Sequence, residues 1–269
     1  MYYIGKPINW QIGLQKSATP IMKQTIQLMH YTNILLLPIV GAIPIIIIYL
    51  CIKYSNDNSC NKLQQINSNI VMEIIWTSIP IAILTSICVP SFKSLKYQIM
   101  QKRFSYITIK ITAHQWYWNY EYFSKKRFCF NSNILKSEQR DKFNKSNTEI
   151  YPELLATDYE LIIPAKRVIR LLIISADVIH AFAVPSFGIK VDAIPGKIND
   201  AWVKVDNPGI YYGQCSEFCG KDHAFMPIAV RVVSQKMFEN WIKIASTSIN
   251  IDNAFSILGA LTYKKGKNV

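Results

Sequence analysis

Between Tyr211 and Met226 the chain reads YYGQCSEFCGKDHAFM and places Cys215, Cys219, His223 and Met226 within twelve residues. Thiolates are soft donors, imidazole is intermediate, and a thioether suits little besides soft, copper-like metals. The chain holds four histidines, so a second imidazole has few sources. The best placed is His180, in SADVIHAFAVPSFGIKVDAIPG, thirty-five residues before Cys215. Two Cys, two His and one Met point to copper electron-transfer chemistry. Three plainer readings compete. Cys215 and Cys219 could form a disulfide in an oxidising compartment, could bind structural zinc with the two histidines, or could be ordinary core cysteines. Met226 and the surroundings of His180 weigh toward copper, because zinc and disulfides have no use for a thioether. One copper needs one thiolate, so two thiolates suggest two copper ions bridged by both sulfurs.

Such a loop needs a rigid mount, and the second half of the chain supplies strands. Ile107, Ile109 and Ile111 alternate with Thr108, Lys110 and Thr112, the period-2 pattern of a half-buried strand. Val168–Ser175, Ala201–Val205 and Pro227–Val233 read as further strands, with Asn207-Pro208-Gly209 as a turn before Ile210–Tyr212. Several short strands separated by turns predict a sandwich or barrel. Met237, Phe238, Trp241, Ile242 and Ala245 then recur at helical spacing, and the last residues, with Lys264, Lys265 and Lys267, read as a loose tail. The aromatic run Trp116, Tyr117, Trp118, Tyr120, Tyr122 reads as packing on residue type alone.

The first hundred residues differ. Residues 2–22 are mixed, with Trp10 and Pro20, and read as an ordered arm rather than a cleavable signal or transit peptide. Asn33–Ile52 and Ile74–Phe92 carry no charged residue. About twenty apolar residues as a helix cross roughly 30 Å of hydrocarbon. Each run contains two prolines, Pro38 and Pro44 in the first and Pro80 and Pro90 in the second, which membrane helices tolerate. A buried soluble helix is the alternative, and such long uncharged runs weigh against it. The polar stretch Lys53–Asn69 reads as the turn of a two-helix hairpin. Glu73 opens the second span; a carboxylate there is either an interfacial, solvated group or part of a proton path.

The net charge of +13 would suggest an anionic partner. The lysines are scattered or sit in one insertion and the tail, with no aromatic-lined groove to follow, so nucleic acid is not expected. Residues 124–146 hold seven basic and two acidic residues without periodicity and read as a solvated, poorly ordered insertion. Cys51, Cys60, Cys88 and Cys129 form no disulfide framework and read as incidental.

The fragment GQCSEFCGKDHAFMP resembles the binuclear copper A loop of cytochrome c oxidase subunit II. The likeness extends to HQWYW at His114–Trp118, to DVIHAFAVPSFGIKVDAIPG at Asp177–Gly196 and to the N-terminal NWQIGLQKSATPIM, with a gap near residues 124–156. It implies a membrane α + β chain: an arm and transmembrane hairpin over residues 1–103 (spans about 31–52 and 71–92), a cupredoxin-like β-sandwich over 104–245 with its insertion at about 124–156, and a tail over 246–269. By the same resemblance His180, Cys215, Cys219, His223 and Met226 are copper A ligands, with Glu217 giving its backbone carbonyl to copper and its side chain to a magnesium ion shared with subunit I. Trp116 becomes the residue that accepts the electron from cytochrome c. Glu73, ahead of Ile-Trp-Thr, becomes the mouth of the K proton pathway, and Asp158, Asp177 and Asp192 become docking acids for cytochrome c. The implied partners are subunit I, other oxidase subunits, cytochrome c and lipid. The implied setting is the mitochondrial inner membrane, with the termini in the intermembrane space. Two other classes remain as alternatives. A membrane-anchored copper chaperone uses Cys-x3-Cys with a later histidine on a thioredoxin-like fold, and a quinol oxidase subunit II shares hairpin and sandwich but lacks the ligands.

Overall fold

The computed structural model describes residues 3–55, 68–100, 104–124, 126–247, 251–256 and 258. The chain divides into two units, residues 24–99 and residues 1–23 with 100–269.

The first unit is made of two long helices, α1 (Pro20–Tyr54) and α2 (Ile70–Met100). At 35 and 31 residues each exceeds what hydrocarbon requires. Their apolar windows bury nothing within this chain, which removes the reading of a soluble core helix. All four prolines stay inside the helices. The start of α2 is set by Asn69, whose side-chain oxygen accepts the Met72 N–H at 3.1 Å. Residues 56–67, most of the expected hairpin turn and including Cys60, lie outside the described residues.

The second unit is a two-sheet sandwich. In one sheet the order is β4 (Phe128–Ser132), β3 (Tyr117–Tyr122), β2 (Ile107–His114), β6 (Val168–Ser175), β9 (Asn199–Lys204). In the other it is β5 (Leu161–Pro164), β11 (Pro227–Val233), β10 (Gly209–Cys215), β7 (His180–Val184), β8 (Ile189–Ala193). The short strand β1 (Tyr3–Gly5) runs parallel to the first half of β10. The predicted alternation holds in β2, whose inward Ile109 and Ile111 are fully buried, and burial alternates likewise in the predicted strand β6, with Ile169 and Ile173 inside. The aromatic run divides by the same rule: Trp118, Tyr120 and Tyr122 face the core of β3, and Trp116 stays half-buried at its head. Helix α3 (Gln235–Thr247) buries Phe238, Trp241 and Ala245, with Trp241 edge-on to Tyr122 at 5.1 Å. Each such aromatic side chain taken from water stabilises the fold by roughly 1.5–3 kcal/mol.

One expectation needs correction. Residues 124–146 are not wholly a solvated, poorly ordered insertion. They contribute β4, and the stretch that follows lays Ile150, Tyr151 and Leu155 against Ile210, Tyr212 and Ala229 on the outer side of β10 and β11. Two of the seven basic residues go inside. Lys145 reaches Glu160 at 2.9 Å and the carbonyls of Thr157 and Asp158 at 2.8 Å, and Arg140 donates to the carbonyls of Lys145 and Tyr151. Glu160 also pairs with Arg231 of β11. A charge count cannot separate lysines bound to water from those spent on a buried carboxylate. Within the tail over 246–269, Ala254 and Leu258 are buried and Phe255 lies 4.9 Å from the Tyr159 ring, while Lys264, Lys265 and Lys267, read as loose, lie outside the described residues.

Candidate metal centre

Four segments bring the donors together. His180 opens β7 and is fully buried. Cys215 closes β10, and Gln214 and Cys215 pair with Ala183 and Phe182 of β7. Only glycine fits two residues earlier, since a Cβ on Gly213 would stand 1.9 Å from the Ala183 carbonyl. The loop then turns back through Cys219 and a short 3-10 turn, His223–Phe225, so that Met226 returns at the head of β11. The Ser216 N–H donates to the Ala181 carbonyl at 3.1 Å, and the Cys215 N–H reaches Met226 O at 3.4 Å, closing the loop on both flanking strands.

Cys215 Sγ and Cys219 Sγ lie 4.0 Å apart. A disulfide holds them near 2.05 Å, so these are two separate thiols facing one space. His180 Nδ1 lies 3.9 Å from Cys215 Sγ, and His223 Nδ1 lies 3.4 Å from Cys219 Sγ. Met226 Sδ is 3.5 Å from Cys219 Sγ, and the Glu217 carbonyl is 3.3 Å from Cys215 Sγ. Each sulfur thus has its own imidazole and one weak donor. Cys215, Cys219 and Met226 are almost wholly buried. Burial would raise the Cys215 thiol, but hydrogen bonds from His180 and from the backbone at Ala181 and Glu217 bring it down to about 6. Cys219 goes the other way, pushed up to about 12 by burial and by the neighbouring Cys215 thiolate. A bound cation is what lets two adjacent sulfurs both ionise. The donor set fits copper, since zinc would leave the buried thioether without a role.

Around this cluster runs a set of polar contacts. Asp177 puts one carboxylate oxygen 2.8 Å from His180 Nε2, which turns Nδ1 toward Cys215. Its other oxygen accepts the Gln115 N–H at 2.7 Å. These bonds, with the Val178 N–H, hold the Asp177 carboxyl below its ordinary value against the opposing effect of burial. The Trp116 indole N–H donates to the Cys219 carbonyl at 3.3 Å.

Two family models cover most of the chain: "Cytochrome C oxidase subunit II, transmembrane domain" over residues 7–94 and "Cytochrome C oxidase subunit II, periplasmic domain" over residues 107–233. A probable cytochrome c oxidase subunit 2 from Rickettsia bellii is 38% identical over 252 residues, covering 92% of this chain and 90% of its own length. The chain belongs to the cytochrome c oxidase subunit II family. A second relative, from Rickettsia conorii, is 41% identical over 243 residues, 89% of this chain and 73% of its own. Among solved structures, the periplasmic domain of subunit II from Bradyrhizobium japonicum is 47% identical, with a TM-score of 0.47, over 53% of this chain and 95% of that one. Membership accounts for the hairpin followed by a sandwich, and the sandwich is unlike the thioredoxin-like fold of a chaperone.

The side chains of the other predicted residues of this subunit II chain are exposed or half-buried. Glu73 lies exposed in the first turn of α2. Asp158 is half-buried, and its carboxylate accepts from the Asn133 N–H at 2.8 Å and from the Asn133 side chain at 3.0 Å. Burial pushes that carboxyl up even so. Asp192 is exposed on β8, with no side-chain partner among the described residues. The Glu217 side chain is exposed in the loop. Two contributors escaped the sequence reading. Asp177, expected as a docking acid, also orients His180, and its place three residues before that ligand is the signal for this role. Gln115, inside HQWYW, carries no such signal.

Proposed function

We propose that this chain is the electron-accepting subunit of a cytochrome c oxidase, taking electrons from reduced cytochrome c at a binuclear copper A centre and delivering them to haem a and the haem–copper site of subunit I in a proton-pumping complex. The observation that carries this is the paired donor set: two thiols 4.0 Å apart, each with its own imidazole. Cys215, Cys219, His180, His223, Met226 and the Glu217 carbonyl would hold the two copper ions. When bound, the copper pair supplies a one-electron centre whose charge is spread over both metals, so bond lengths change little on reduction.

The chain's own residues do the rest. Asp177 fixes the orientation of His180, as a carboxylate behind a ligating imidazole does. Met226, Cys215 and Cys219 keep water from the sulfurs by their burial. Trp116 lies between the surface and the Cys219 carbonyl and receives the electron. The exposed Glu217 carboxylate turns to subunit I and a shared magnesium ion. Asp192, with the remaining exposed parts of Asp158 and Asp177, meets the basic face of cytochrome c, and with a net charge of +13 the docking surface is either locally acidic or completed by other subunits. Glu73 admits protons to the K pathway. The helices contact lipid and other oxidase subunits.

The membrane in this proposal is the mitochondrial inner membrane, with the sandwich in the intermembrane space. The bacterial relatives favour a second reading, a plasma membrane with the sandwich in the periplasm. Mixing the assembled oxidase with reduced cytochrome c in a stopped-flow spectrometer tests the role. The copper absorption should bleach before haem a is reduced; haem a reduced first, with the copper band untouched, would refute it.

A further inference from the structure

The Gln115 side chain is exposed, is not part of the donor set, and yet joins both ligand-bearing segments. Its backbone N–H is held by the Asp177 carboxylate at 2.7 Å, the same carboxylate that holds His180 at 2.8 Å. Its side-chain amide donates to the Cys219 carbonyl at 2.9 Å. That carbonyl is also the acceptor of the Trp116 indole, at the longer distance of 3.3 Å. The next residue leaves no slack: a Cβ on Gly220 would meet Gln115 Nε2 and Trp116 Cζ2, each at 3.2 Å, and its φ of +118° is one that side chains avoid. The bare glycine lets the amide and the indole sit on the loop together.

Of the two donors on the Cys219 carbonyl, the amide is at the ordinary hydrogen-bond distance and the indole beyond it. The amide therefore fixes where the carbonyl points, and the indole follows. We propose that Gln115 is a positioning residue for electron uptake: it clamps the Cys219 carbonyl beneath Trp116 and, through Asp177, keeps that contact in register with His180. This rests on the reading of the cluster as the copper centre. Gln115 touches neither copper nor the reacting orbitals; it sets the separation and orientation across which the electron passes. Groups of this kind beside metal ligands alter activity by about 10-fold to 100-fold when removed.

The test uses the assembled oxidase with Gln115→Leu, which keeps the bulk and removes the donor. The expected result is electron uptake from saturating cytochrome c slowed about tenfold, with KM for cytochrome c and the copper absorption unchanged. In the copper-free full-length chain, the share of fluorescence that Trp116→Phe abolishes should become more accessible to acrylamide. A raised KM at unchanged maximal rate would make Gln115 a docking contact and overturn the proposal, as would unchanged uptake. Should the Leu variant assemble without copper, Gln115→Asn, one methylene shorter with its donor intact, takes its place: slowed uptake at constant KM supports the clamp and wild-type uptake overturns it. The wild-type copper spectrum separates the two layers, since its failure to show paired copper refutes the functional reading and not the clamp.

Discussion

Asp177 has an acid's charge and yet has both oxygens occupied, one on His180 and one on the Gln115 N–H. Replacing it by Asn keeps the shape and removes the charge that makes the imidazole a better donor. Asp177→Asn should lower copper affinity by about 10-fold to 100-fold, read by competition with a chelator. Unchanged affinity would return Asp177 to a purely surface role. Trp116→Phe separates arrival of the electron from assembly of the site: the copper spectrum should persist while reduction by cytochrome c slows by an order of magnitude or more. The donors themselves were legible because Cys, His and Met in one short loop leave few chemistries open. Of their supports, Asp177 lies only three residues before His180, but the bond from Gln115 to Cys219 was not legible, because it depends on how segments far apart in sequence are laid side by side.

At the scale of elements, the pairing of β10 with β7 decides whether Cys215 faces His180, and Gly213 permits it. A methyl group there collides with backbone, not with a yielding side chain, at 1.9 Å from the Ala183 carbonyl. Gly213→Ala should destabilise the sandwich by on the order of 3 kcal/mol and abolish copper binding. Gly41→Ala, in α1 with nothing within 4 Å, should leave both unchanged; thermal unfolding and copper content of the purified chain compare them. Strand β2 could be read from alternation because one face meets the core and the other solvent. Strands β5 and β7 could not, since every residue in them is buried and no polar face alternates with the apolar one. The outer cover over β10 and β11 is the basic insertion, whose apolar anchors Ile150, Tyr151 and Leu155 have no periodicity to betray them.

Across the whole molecule, the buried Glu160 ties the insertion to the sandwich through Lys145 and Arg231. Burial would raise its carboxyl, but the two cations hold it at about 2, against roughly 4.3 in an unfolded chain. Its contribution is complete above the unfolded value and is lost as pH falls through the folded one. About 3 kcal/mol of stability should therefore fade between roughly pH 4.3 and 2. Glu160→Ala strands two buried cations and should cost about 3–5 kcal/mol at neutral pH, with a flatter acid limb in thermal unfolding. An acid limb as steep as that of the wild type would contradict the assignment. The net charge of +13 overstates the basic surface, since among the described residues the buried cations Arg140, Lys145 and Arg231 stand against the single buried carboxylate of Glu160.

Electron paramagnetic resonance of the purified, copper-loaded oxidase addresses the pairing of the donors most directly. The geometry around Cys215 and Cys219 predicts a spectrum in which one unpaired electron is shared equally by two coppers. That spectrum should collapse to a single-copper signal, or vanish, in Cys215→Ser. A wild-type spectrum of one isolated copper, or a chain that carries zinc and no paramagnetic copper, would contradict the electron-accepting role and with it the assignment of Trp116.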